Sequence, residues 1–136
     1  MKQYPSIGES VLCRNVPAGG FERYTAQPVR TLEDYQKMVA IRAAVFMAEQ
    51  ACPYTEEFDG NDLNATHFLV FDGKDAVGTL RIRWFANFAK LERVVLLRSQ
   101  RGRAALHVML AEAFELATRK GYRLMIAQIQ ARLWPV

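Results

Sequence analysis

Two periodicities divide the chain. Between Thr31 and Glu49 the series Leu32, Tyr35, Val39, Arg42, Phe46, Glu49 steps by three or four residues, which predicts a helix. Thr31 can cap it, with Asp34 at the position used by a capping box. The stripe turns charged at Arg42 and Glu49, which either form a buried ion pair that positions the following acidic loop or mark a face rotating outward. From Thr66 the pattern changes. Thr66 to Phe71 and Ala76 to Phe85 read as strands joined by the turn Asp72-Gly73-Lys74-Asp75, and Lys90 to Leu97 as a third strand. Helical spacing returns in Leu106, Met109, Leu110, Ala113, Phe114 and Ala117, with Arg119-Lys120 in the last turn and Gly121 as a stop. Leu124 to Ile129 is a continuous apolar run and reads as a buried strand. A short strand is expected between Phe21 and Arg30, and Ala51 to Ala65, with Pro53, Gly60 and Asn61, reads as a polar loop. Residues 1–24 form an irregular arm in this reading and residues 25–136 one domain. The order β-α-β-β-β-α-β predicts an α/β fold with a mixed, mostly antiparallel sheet flanked by helices.

Composition narrows this little. The 136 residues, 51% hydrophobic and 24% charged, suffice for one core. Cys13 and Cys52 make no disulfide framework and no zinc spacing, which favours a reduced, cytoplasmic setting without a metal. No stretch has the length of a signal peptide's apolar run or a membrane span. Charge is distributed unevenly. From Glu49 to Asp75 seven acids stand against Lys74 alone, a net −6, whereas from Lys90 to Arg123 eight bases face three acids, a net +5. Opposite signs in neighbouring segments suit one anionic and one cationic ligand, or two solvated surfaces. Nucleic acid is disfavoured, because the bases are few and no aromatics interleave with them.

The junction Arg98-Ser99-Gln100-Arg101-Gly102-Arg103-Ala104-Ala105 carries the most chemistry. A small-residue turn entering a helix offers backbone N–H groups and the positive end of the helix dipole to an anion, and three arginines favour phosphate. Here the sequence resembles the GNAT superfamily of acyl-CoA-dependent N-acyltransferases, whose signature is a Val-Ala-Val type strand followed by Arg/Gln-x-x-Gly-x-Gly/Ala at a helix start. Val94-Val95-Leu96 stands for the strand and Arg101 to Leu106 for the loop. The family's small positions fall on Ala104 and Leu106, and Leu106 brings bulk to a place where backbone should approach pyrophosphate. The stretch Arg42-Ala43-Ala44-Val45-Phe46-Met47-Ala48-Glu49-Gln50-Ala51-Cys52-Pro53-Tyr54, followed by Glu57-Phe58-Asp59-Gly60-Asn61-Asp62, is similar to the ElaA-like branch of that superfamily. Its Arg-x-x-Val-Phe part is also similar to acyl-homoserine lactone synthases.

The resemblance implies a sheet splayed between the strands at 90–97 and 123–130, with pantetheine in the gap and an amine attacking the thioester directly. Val94, Val95 and Leu96 would hold the pantetheine and polarise the thioester carbonyl through backbone amides. Arg101, Gly102, Arg103, Ala104 and Ala105 would take the phosphates of acetyl-CoA. Glu92 is the candidate base, and Arg42, Glu49, Asp59 and Gln128 are candidates for the side that receives a small-molecule or peptide amine. Glu56, Glu57, Asp59 and Asp62 could recruit a cationic acceptor. The family continues with another helix, which carries a thiolate-protonating tyrosine, and two more strands, whereas this chain ends at Trp134-Pro135-Val136. That predicts an open edge on the last strand and a homodimer formed through it. A module of the same fold that binds CoA or a protein partner without turnover is the alternative.

Overall fold

The computed structural model describes residues 2–3 and 21–128. Most of the expected arm, with Cys13, and the positions Ile129 and Gln130 lie outside the described residues. Thr31 has extended backbone and its Oγ1 accepts from the Asp34 N–H at 3.0 Å, which starts α1 (Leu32–Arg42) as the capping signal predicts. The helix runs on into a π-helical segment, Ala43–Glu49. Its i→i+5 bonding fits more residues into each turn, so the seven-residue step from Arg42 to Glu49 no longer returns to the same face.

Six strands form one sheet: β1 (Lys2–Gln3), β2 (Tyr24–Pro28), β3 (Thr66–Asp72), β4 (Asp75–Trp84), β5 (Ala89–Leu96) and β6 (Met125–Ala127). The order is β1-β6-β5-β4-β3-β2, antiparallel throughout except for the parallel pair β5–β6. A parallel pair needs a crossover, and the helix α3 (Arg103–Arg119) supplies it. Period-two alternation sorts the strand side chains. Phe68, Val70, Leu80, Ile82 and Leu91 pack with Leu106, Met109, Leu110 and Ala113 of α3, while Leu69, Phe71 and Val95 pack with Met38, Ile41 and Val45 on the opposite face. At 25–30 cal/mol per Å² this two-sided burial is the main stabilising term of the sheet.

Three expectations change. The polar loop holds a short helix, α2 (Tyr54–Glu57), and buries Glu57 and Asp62. Within the expected arm, Lys2 and Gln3 pair with Ala127 and Ile126, so over those two residues the edge expected to seek a second chain is paired internally. The bulk of Leu106 is turned into the core, where the side chain is 2% exposed, because α3 presents that position to the sheet and leaves the preceding turn uncovered.

Candidate active site

The β4–β5 ladder contains one irregularity. Thr79 faces Val95 and Arg81 faces Glu92, so Arg93 and Val94 together oppose Leu80. Arg93 sits at φ +56°, a left-handed conformation costly for any residue with a Cβ. The extra residue puts the consecutive side chains of Glu92 and Arg93 on one face, while Leu91 and Val94, three apart, both reach the α3 side. Among the described residues, the pairing of β5 with β6 stops before it: the parallel register covers Ala89 to Leu91, and the Gln128 N–H donates to the Leu91 carbonyl at 2.8 Å. Beyond the bulge, Leu97 N–H donates to Val77 on the β4 side. Alternation therefore turns the backbone groups of Val94 and Leu96 to the side that β6 has left, and those of Val95 toward β4. Of the three strand positions expected to hold pantetheine, Val94 and Leu96 face the gap and Val95 does not.

That gap runs into the junction. A 3-10 turn, Arg98–Gln100, leads through Arg101 to Gly102, which precedes α3 in extended conformation with no side chain capping the helix. Arg103, Ala104 and Ala105 occupy the first turn, where the orphan N–H groups and the helix dipole favour an anion. Arg101 links the end of β5 to the π-helical segment. Its Nε donates to the Leu96 carbonyl at 3.3 Å and its Nη2 pairs with Glu49 Oε2 at 2.6 Å. Tyr24 Oη donates to Gln100 Oε1 at 2.8 Å, tying the turn to the far strand.

On the α1 side lies a buried ionic cluster. Arg42 does not pair with Glu49. Its Nε meets Glu57 Oε1 at 2.5 Å and its Nη1 meets Asp62 Oδ1 at 2.6 Å, because the π-helical turn carries Glu49 round to Arg101. Arg81 is fully buried and binds Asp59 at 2.9 and 3.0 Å, Asp62 at 2.9 Å and Glu92 Oε1 at 2.7 and 3.1 Å. Arg93 Nε pairs with Glu57 Oε2 at 3.1 Å, and its Nη2 donates to the Glu56 carbonyl at 3.0 Å and to Asp59 Oδ2 at 3.3 Å. The Arg81 guanidinium holds Asp59 well below the usual carboxylate range. Burial pushes Asp62 and Glu92 upward, but Arg81 on both and Arg42 on Asp62 outweigh it and hold them low. At Glu57 burial wins and raises the pKa.

These contacts correct two expectations. Asp59, expected to face the acceptor, and its neighbours Glu57 and Asp62 are occupied by Arg42, Arg81 and Arg93. Glu92, the expected base, is 3% exposed with Oε1 on Arg81 and Oε2 3.4 Å from Lys90, which leaves it a weak proton acceptor and a strong anchor. Gln128 is exposed at the end of β6 beside the gap.

No family model matches the chain. An uncharacterised N-acetyltransferase of Bacillus subtilis (strain 168), YjcF, is 36% identical over 81 residues, 60% of this chain and 57% of that protein. The chain spans about half the length of the curated relatives it matches. A crystal structure of an acyl-CoA N-acyltransferase from Pseudomonas aeruginosa superposes with a TM-score of 0.70 at 25% identity, over 81% of this chain and 82% of that one. These likenesses support the GNAT superfamily. Escherichia coli ElaA shares its fold, with a TM-score of 0.70 at 22% identity over 81% of this chain and 80% of that one. Here the parallel pair is β5–β6, and the turn of the motif is the entry to α3. Arg81 is the central residue that sequence reasoning missed. Its signal was the alternation Thr79, Arg81, Arg83, which makes one face of β4 polar opposite a helix that should cover it.

Proposed function

We propose that this protein transfers an acetyl or short acyl group from acyl-CoA to a primary amine by direct attack on the thioester. The observation that carries this reading is the edge of β5 beyond the Arg93 bulge, which no strand pairs among the described residues and which leads through the Arg98–Gln100 turn to the uncapped N-terminus of α3. An extended pantetheine arm can add to that edge as a strand would, which sets its phosphates at the Gly102–Ala105 turn. There the amide groups of Val94 and Leu96 can stabilise the oxyanion that forms when the amine nitrogen bonds to the carbonyl carbon. Collapse breaks the C–S bond, the nitrogen loses a proton, the departing CoA thiolate takes one up, and the amide product keeps the acyl group. Glu92 serves here as the anchor of Arg81.

Acetyl-CoA should raise the melting temperature of the unsubstituted protein. Gly102→Glu, at a position with open space around it, should abolish the shift by placing a carboxylate among the phosphates. An unchanged shift in that variant would remove the site assignment. Turnover is read as free thiol released from acetyl-CoA with a panel of primary amines. Stabilisation without thiol above background hydrolysis would leave a binding module.

A further inference from the structure

We propose that Arg93 is a positioning residue for the acyl donor: its guanidinium clamps the β5 bulge to the 54–62 loop, so that loop holds open the strand edge on which the donor lies. This rests on the acyl-transfer reading above. The left-handed conformation of Arg93, between Glu92 and the β-branched Val94, has no local support, since no glycine is there to relieve it. Support comes instead from outside the strand. The side chain reaches across to Glu57, to the Glu56 carbonyl and to Asp59, and it lies over the Phe46 ring at 6.0 Å. Its buried Nε makes the ion pair with Glu57 but no hydrogen bond, so the contact is held by charge. Glu57 is in turn fixed by Arg42 and Asp59 by Arg81, and Arg81 returns to Glu92, the residue before the bulge. The bulge is thus fastened on both flanks to one loop. Without it, β5 would alternate regularly and the backbone groups beyond Leu91 would change sides, closing the gap to a ligand.

The test separates backbone from clamp. Arg93→Gly tolerates the same φ and lacks the guanidinium, and Arg93→Lys keeps a charge that can reach Glu57 and Asp59. Clamping predicts that Arg93→Gly raises the KM for acetyl-CoA five-fold or more, leaves the KM for the amine within two-fold, and speeds hydrogen exchange of β5 amides in the ligand-free protein. Arg93→Lys should restore most of the acetyl-CoA KM. A variant that is merely less well folded would lose active fraction, and so apparent kcat, with both KM values unchanged. Should the glycine variant fail to fold, Arg93→Asn gives a second residue that accepts left-handed backbone. If the unsubstituted protein binds no acetyl-CoA, the acyl-transfer reading falls and this proposal with it. If it binds and Arg93→Gly binds equally well with unchanged β5 exchange, this proposal alone is overturned.

Discussion

All five N–H bonds of the Arg81 guanidinium end on carboxylate oxygens of Asp59, Asp62 and Glu92, and none of the side chain reaches solvent. Such an arrangement gives modest net stability while complete, and a large loss when one partner is removed. Arg81→Met should therefore cost about 3–5 kcal/mol at neutral pH, read from urea denaturation. The pH dependence supplies the sign. In the native protein Asp59, Asp62 and Glu92 are held below their unfolded values, so their contribution is present above about pH 4 and is lost as pH falls through the lower folded values. His67, lowered by burial, acts in the same direction below about pH 6.5, whereas Glu57, raised by burial, acts in the opposite one. In Arg81→Met the carboxylates lose their shared cation, although Asp62 keeps Arg42, Asp59 keeps Arg93 and Glu92 keeps Lys90, so burial weighs more on them and that variant loses less stability as they protonate. The gap between the two proteins should narrow steadily from pH 7 to pH 5. A constant gap would mean that Arg81 acts through packing alone.

Two helices end in the same way with different residues. After α3, Gly121 stands at φ +89° and the Tyr122 N–H returns to the Ala117 carbonyl at 3.0 Å. After the π-helical segment, Ala51 stands at φ +55° and the Cys52 N–H returns to the Phe46 carbonyl at 2.8 Å. Both close on a residue in left-handed backbone, the first as a Schellman motif and the second one residue wider, and only the second carries a Cβ there. Ala51→Gly should stabilise the protein by about 0.5–1 kcal/mol, since about 1–2 kcal/mol of strain is relieved against a smaller entropic cost. The denaturation midpoint should rise with the m-value unchanged, and a fall would show that Ala51 packs more than it strains. These elements also show what the sequence makes legible. The cap at Thr31, the Gly121 stop, the meander and the entry to α3 depend on neighbours in the chain, and local pattern reveals them. The π-helical turn and the Arg93 bulge each insert a residue that changes the facing of everything after it, and neither is marked by glycine or proline. Helical spacing therefore leaves open whether Arg42 meets Glu49, and only the fold shows it on Glu57 and Asp62.

At the scale of the molecule the acidic segment is matched in part by Arg93 and Arg101 of the basic segment and in larger part by Arg23, Arg42 and Arg81 from outside it. Of the seven acids from Glu49 to Asp75, Glu57, Asp59 and Asp62 lie on Arg42, Arg81 and Arg93, Glu49 on Arg101 and Asp72 on Arg23. The sequence suggested an acidic surface for a cationic acceptor. Folding instead neutralises that surface internally, and a buried pair is screened little by salt. The cationic end is different, because Arg98 is exposed and the first-turn amides of α3 carry no side-chain cap. In the proposed reaction a donor bearing several phosphates would meet an electrostatic site open to solvent, and the acceptor one whose charges are already matched. Between 0.1 and 1 M salt the Debye length falls from about 10 Å to about 3 Å. Over that range the KM for acetyl-CoA should rise several-fold while the KM for an amine found by thiol release changes less than two-fold. If instead the amine KM rises as much as that of the donor, then acids outside the buried cluster, such as exposed Glu56, draw the acceptor in, and the neutralisation seen around Arg81 does not govern that side of the site.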